Sequence, residues 1–161
     1  MHNMCSVNSS LQIKSEQEAL YIACEMERRA IRVYERGLML CHDPALKAML
    51  NRLHGDETMH LAKFAKMGNA AIEATDQEQQ ILLQSYAAQI LFPGGLMQAQ
   101  REGAFSSLEA LMAFARDSEA TAVCCYEEFA KSCEREEARD AFLAIAREEK
   151  THLEAIEEQM K

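Results

Sequence analysis

The chain has 161 residues, a formal net charge of −9 and 48% hydrophobic residues. This length suits one domain with a single core, and the negative charge argues against a nucleic-acid partner. There is no run of about 18 apolar residues that could span a membrane, and the N-terminal residues lack the blocks of a signal peptide. With only two prolines and six glycines, the composition favours helix. We therefore expect an all-α, cytoplasmic protein.

Six cysteines are present, but none of them forms a Cys-x-x-Cys pair. This absence argues against a metal ribbon. We expect reduced cytosolic thiols that mostly pack in the core, with chemistry at the adjacent Cys124 and Cys125 as the alternative. The six positions are Cys5, Cys24, Cys41, Cys124, Cys125 and Cys133.

Residues 1–14 are polar and irregular and are predicted to form a flexible N-terminus, followed by a single domain over residues 15–161. Ser15, with Glu18 three residues later, is typical of a helix start. In the first helix Glu27 falls within an apolar stripe at helical spacing. A charged group buried there is costly, so Glu27 must be paired, protonated or bound to a metal.

The second helix follows a turn in which Asp43 can cap and Pro44 can occupy the first helical position. Its apolar line is interrupted by Glu57 and His60, and it is predicted to stop near Gly68–Asn69. A Glu and a His three residues apart lie one turn apart on one helix face, so both can point at one metal ion.

Residues 69–105 are too long for a structureless connection in a compact domain. The segment 76–92 can form a helix of its own that ends at a Pro-Gly-Gly break. We interpret the whole stretch as a crossover that carries the chain back along the bundle, so that the third helix need not be antiparallel to the second. The apolar residues of the crossover could cover the bundle or pair with another subunit.

The third helix is predicted to start at Ser106 or Ser107 and carries Glu119 within its apolar stripe. The fourth helix carries Glu149 and His152 in the same way. Four amphipathic helices, two short connections and one long crossover describe a four-helix bundle.

The two halves of the chain, about 15–68 and 106–160, are pseudo-repeats related by a shift of 92 residues. In each half the first glutamate lies 30 residues before the glutamate of the Glu-x-x-His pair. Two facing hairpins would thus supply four carboxylates and two imidazoles, whose charge two divalent cations would neutralise. The matched pairs are Glu27 and Glu119, Ala30 and Ala122, Tyr34 and Tyr126, Glu35 and Glu127, Glu57 and Glu149, His60 and His152, and Leu61 and Leu153.

This pattern resembles that of the ferritin-like di-iron and di-manganese carboxylate proteins, which use one Glu from each of two helices and Glu-x-x-His from the other two. The chain is more narrowly similar to the rubrerythrin-related branch, because Tyr34 and Tyr126 each follow the first glutamate of their half by seven residues. The resemblance implies a ferritin-like bundle in which Glu57 and Glu149 bridge two metals. The implied ligands are Glu27, Glu57, His60, Glu119, Glu149 and His152.

The resemblance also implies an activity. A rubrerythrin-like homodimer would hold two iron ions per chain, or manganese or a mixed pair, and would reduce peroxide or dioxygen. Its electrons would come from a separate donor such as a rubredoxin-like protein, since the usual iron domain with Cys-x-x-Cys is absent from the sequence. Alternative readings are a ferroxidase that binds and stores iron, and a di-manganese catalase.

Four further residues are implied to support the ligands. Tyr34 and Tyr126 would support catalysis by donating hydrogen bonds to ligand carboxylates across the bundle, or else they are core residues with a hydroxyl at the edge. Asp56 and Glu148 would bind the outer nitrogen of the opposite histidine, or else they belong to a solvated face. The chain departs from rubrerythrins proper at Ala122, where that family has an additional glutamate, so the seventh ligand of that family is absent.

Overall fold

The computed structural model describes residues 13, 15–74, 77–78, 81, 84–85 and 100–161, without the side chains of residues 69–74. Within these ranges the chain forms four long α-helices and no strand, so the predicted all-α four-helix bundle is confirmed. None of the helices in the described residues is both long enough and apolar enough to cross a membrane. The helices are α1 (Glu16–Leu40), α2 (Pro44–Ala74), α3 (Leu108–Lys131) and α4 (Glu136–Gln159).

Three of the four helix starts are capped by side chains that the sequence predicts. The hydroxyl of Ser15 accepts a hydrogen bond from the backbone N–H of Glu18 at 3.2 Å. The hydroxyl of Ser107 accepts one from the backbone N–H of Ala110 at the start of α3, at 3.1 Å. Asp43 accepts two N–H groups of α2 at 2.8 and 3.0 Å. Such caps satisfy donors that have no partner inside the helix. α4 lacks a side-chain cap, but Arg135 at its start is held by Glu16 of α1 at 2.7 Å.

Helix α2 is longer than predicted. It was expected to stop near Gly68–Asn69, but it continues to Ala74. The expectation was wrong because one glycine costs a helix only about 1 kcal/mol, and the following Ala70 and Ala71 are the strongest helix formers.

Two further predictions fall largely outside the described residues. Of the predicted flexible N-terminus, 1–14, only Ile13 is described, and it packs against the core. Of the predicted helix over 76–92, residues 77–78, 81 and 84–85 are helical. The amide of Gln84 donates to the hydroxyl of Tyr21 at 3.0 Å, so this part of the crossover contacts α1.

The helices form two hairpins, α1 with α2 and α3 with α4, which meet through α1 and α3 and through α2 and α4. Tyr34 of α1 bonds Glu119 of α3, and Tyr126, farther along α3, bonds Glu27, which comes earlier in α1. These crossed bonds require α1 and α3 to be antiparallel. Because α2 is antiparallel to α1, helices α2 and α3 run in the same direction, and the connection between them must cross the length of the bundle.

The apolar core is divided into two clusters by a layer of buried polar residues. One cluster is rich in aromatic rings, including Phe64, Phe129 and Phe142. The other consists mainly of aliphatic side chains, including Leu50 and Leu53. Along every helix one cluster lies before the buried glutamate and the other lies after it. The polar layer is therefore closed by apolar packing at both ends.

The cysteines mostly behave as predicted. Cys24, Cys41 and Cys133 are buried thiols, and burial raises the pKa of Cys24 and of Cys133 to about 11. The expectation of a reduced thiol was wrong for Cys124, which is disulfide-bonded. No Cys-x-x-Cys pair or other local pattern in the sequence marks Cys124 for pairing.

We expect Phe142→Ala to destabilise the protein by about 3–5 kcal/mol, because it leaves a cavity in the aromatic cluster. The Phe142 ring is 0% exposed and its centroid lies 4.9 Å from that of Phe64 and 5.7 Å from that of Phe129. Urea unfolding followed by circular dichroism measures the effect. Met39→Ala, at an α1 side chain that is 72% exposed, is the control, and equal stabilities of the two variants would contradict the assigned core.

Candidate metal centre

The structure brings all six predicted ligand residues into one layer of the bundle. Their exposed fractions are only 1–4%, although charged residues are almost never fully buried unless they are paired or bind a metal. Each helix contributes the residue or pair that interrupts its apolar stripe. The six are Glu27 from α1, Glu57 and His60 from α2, Glu119 from α3, and Glu149 and His152 from α4.

The six residues form two overlapping groups, each able to hold a metal ion. In each group the candidate ligand atoms, one from every residue, all lie within 4.8 Å of one another. Glu57 and Glu149 belong to both groups, so their carboxylates lie between the two candidate positions. One group is Glu27, Glu57, His60 and Glu149, and the other is Glu57, Glu119, Glu149 and His152.

Each imidazole turns its Nδ1 atom towards the shared carboxylates. His60 Nδ1 lies 3.2 Å from Glu57 and 3.3 Å from Glu149. His152 Nδ1 lies 3.0 Å from Glu149 and 3.2 Å from Glu57. The two rings are stacked with their centroids 5.7 Å apart. The spacing of three residues therefore places each histidine beside the glutamate of its own helix and the one opposite.

The outer nitrogens are held by carboxylates from the opposite hairpin. His60 Nε2 lies 2.5 Å from Glu148 of α4, and His152 Nε2 lies 3.0 Å from Asp56 of α2. These are the contacts that the sequence suggested for the residues preceding the two Glu-x-x-His pairs. A carboxylate at the outer nitrogen fixes the orientation of the ring and leaves the inner nitrogen to face a metal.

The two buried tyrosines also support the opposite half. Tyr126 donates to Glu27 Oε1 at 2.6 Å, and Tyr34 donates to Glu119. Burial, followed by the charges of the surrounding glutamates, raises the pKa of both phenols well above the ordinary value. Both hydroxyls therefore remain protonated donors that fix one oxygen of each terminal carboxylate.

Glu27 has one oxygen that lacks a hydrogen-bond partner. Its Oε2 atom is buried and unpaired, with His60 Nδ1 at 3.8 Å. Burial alone would raise the pKa of Glu27, but the neighbouring Glu57 and His60 outweigh that effect and lower it. A charged, unpartnered oxygen in a protein interior costs several kcal/mol. A cation at this position would remove that cost, so the residues present fit a bound metal.

The two shared glutamates and both histidines bind protons more tightly than usual when no metal is bound, because their pKa values are raised. Burial, followed by the charges of neighbouring glutamates, raises the pKa of Glu57 and that of Glu149 well above the ordinary value. Burial would lower the pKa of His60 and of His152, but hydrogen bonds with the surrounding carboxylates raise both instead. Without metal, the site therefore takes up protons to balance its negative charge.

One residue of the site was missed by the sequence reasoning. Ser118 precedes Glu119 on α3, and its hydroxyl is buried without a hydrogen-bond partner. Together with Glu27 and Glu119 it lines a cavity between α1 and α3. The duplication could have identified Ser118, because it is a polar residue at the position that the buried, apolar Met26 occupies in the first half.

Comparisons with protein-family models, with curated proteins and with solved structures give no match to this chain.

We expect metal loading to release protons and the metal affinity to fall as the pH falls. Because the pKa values of Glu57, Glu149 and both histidines are raised, these groups hold protons to a higher pH than ordinary carboxyl and imidazole groups do, and a metal must displace those protons. Calorimetric titration of the metal-free protein with Mn²⁺ or anaerobic Fe²⁺, in two buffers of different ionisation enthalpy, measures the release. An observed heat that is independent of the buffer would contradict this prediction.

We expect Asp56→Asn to lower metal affinity by about 10- to 100-fold, the usual effect of losing a carboxylate that orients a ligand histidine. The amide cannot balance the charge of His152, and it holds the ring less firmly. Competition with a chelator of known affinity measures the change. Asp140→Asn, at an exposed position of α4, is the control, and equal affinities of the two variants would refute the role of Asp56.

Proposed function

We propose that the protein is a dinuclear metal redox protein of the rubrerythrin type, which binds two iron ions and reduces peroxide or dioxygen. The observation that supports it is the pair of overlapping four-residue groups, which share the carboxylates of Glu57 and Glu149. Shared carboxylates between two positions are what a pair of closely spaced metals requires. A single divalent metal would balance only two of the four carboxylate charges and would leave one terminal glutamate without a cation.

Each residue has a defined part in this proposal. Glu27 and His60 would bind one metal, and Glu119 and His152 would bind the other. Glu57 and Glu149, which lie in both groups, would bridge them. Four carboxylates and two divalent cations then balance in charge, and the protons held in the metal-free site are no longer needed. The mixture of carboxylate and imidazole donors suits iron and manganese.

Bound iron would supply the electrons for the reduction of peroxide or dioxygen, and a separate donor would restore them. The chain itself holds, orients and shields the centre. Tyr34 and Tyr126 fix one oxygen of each terminal glutamate, while Asp56 and Glu148 fix the imidazoles. The apolar clusters at both ends of the polar layer limit the access of water. We further propose that the substrate is peroxide or dioxygen, that the electrons come from a separate donor protein, and that the chain forms a homodimer.

We expect the purified protein, loaded anaerobically with Fe²⁺, to bind about two iron ions per chain, and we expect peroxide to oxidise them. The double variant Glu57→Ala, Glu149→Ala should lose the metal, because both shared ligands are removed. The matched control is Glu35→Ala, Glu127→Ala, a pair that also corresponds between the two halves but is exposed on the surface. Elemental analysis and stopped-flow absorbance measure the two results.

Three outcomes would contradict the proposal in different ways. Unchanged metal content in the Glu57, Glu149 variant would refute the site itself. Oxygen evolution from peroxide by a manganese-loaded protein, without any need for a donor, would identify a catalase. A large hollow assembly that accumulates iron would identify a storage protein, whereas the proposed function requires only a small oligomer.

A further inference from the structure

A cavity lies between α1 and α3 and reaches the shared carboxylates of the metal centre. Its inner wall includes Glu27, Glu57, Glu119 and Glu149, so that a molecule inside it would meet all four acids. Most of the remaining wall comes from apolar side chains of the two helices, and Arg29, Tyr34, Tyr126 and Ser118 complete it. The apolar side chains are Met26, Ala30, Val33, Phe114, Ala115 and Ala122.

The cavity is small. It leaves about 20 Å³ for the centre of a water-sized molecule, and about 10–15 Å³ is needed to accommodate one water. A molecule with two heavy atoms, such as hydrogen peroxide or dioxygen, fits this space. An organic hydroperoxide with a branched carbon skeleton does not fit without displacement of the helices.

Ser118 contributes an unsatisfied hydroxyl to this wall. Its Oγ atom is buried and has no hydrogen-bond partner. Other hydroxyls in the interiors of these helices bond the carbonyl four residues earlier, as Thr58, Thr121 and Thr151 do at 2.9, 2.9 and 3.2 Å. An unpaired buried hydroxyl costs about 1–3 kcal/mol, and Ser118 does not form the local bond that would avoid this cost.

We propose that this cavity is the binding pocket for the small oxygen substrate and that the Ser118 hydroxyl is the hydrogen-bond partner that orients it towards the centre. The inference rests on the proposed function, and it adds the size class of the substrate and a residue that binds it. A serine hydroxyl both donates and accepts, so it matches either end of a peroxide. The equivalent position in the first half is Met26, which has no hydroxyl. The proposed hydrogen bond to the substrate therefore comes from the second half alone.

Azide, a linear triatomic anion that binds ferric iron, serves as the probe. We expect Ser118→Ala to weaken azide binding to the iron-loaded protein by about three- to tenfold, the equivalent of one hydrogen bond, and to raise the KM for hydrogen peroxide by a similar factor with less change in kcat. Alanine favours helix, so the variant should fold. Thr121→Ala, which removes a hydroxyl one turn away that does not line the cavity, should leave both quantities unchanged.

Equal azide affinities and KM values in Ser118→Ala and the unmodified protein would overturn the role of Ser118. Oxidation of the ferrous protein by tert-butyl hydroperoxide as fast as by hydrogen peroxide would overturn this cavity as the substrate-binding pocket. A crystal structure of the iron-loaded protein with azide should place the anion within hydrogen-bonding distance of Ser118 Oγ. If azide binds there while neither peroxide nor dioxygen oxidises the protein, the pocket stands and the proposed function fails.

Discussion

The structure depends on the burial of four carboxylates in one layer of a helical bundle. Each of them would cost several kcal/mol if it were charged and alone. The protein meets this cost by placing two imidazoles among them, by raising the pKa of Glu57 and of Glu149 so that they bind protons more tightly, and by directing a tyrosine hydroxyl at each terminal glutamate. These measures leave Glu27 Oε2 without a partner. This unpaired, buried carboxylate oxygen is the strongest physical argument that the layer evolved to bind cations.

The support for each ligand comes from the opposite hairpin. Glu148 of α4 holds His60 of α2, and Tyr34 of α1 holds Glu119 of α3. Neither half of the chain can therefore complete the site by itself, even though each half carries the same three ligand types. The antiparallel pairing of α1 with α3 makes these exchanges reciprocal. The long crossover between α2 and α3 is the topological condition for that pairing, because it allows the two helices to run in the same direction.

The sequence was sufficient to predict the features that depend on local chemistry and periodicity. The caps at Ser15, Asp43 and Ser107 and the buried glutamates in four apolar stripes follow from residue type and helical spacing. The duplication then predicted which residues meet. The end of α2 was missed because one glycine is a weak stop signal against the alanines that follow it. The unpaired hydroxyl of Ser118 was missed because it depends on the packing of two helices rather than on a motif.

The two sides of the site differ in the side chains that lie next to the centre. On the α2 and α4 side, the stacked imidazoles and their outer carboxylates lie next to the centre, and Asp56, Glu148 and His152 also line a surface pocket. On the α1 and α3 side, the equivalent alanines Ala30 and Ala122 are too small to fill the space next to the centre, and a cavity remains. Ala122 is also the position at which the rubrerythrin pattern would place another acid. The alanine at this position is therefore part of the wall that leaves room for a small ligand.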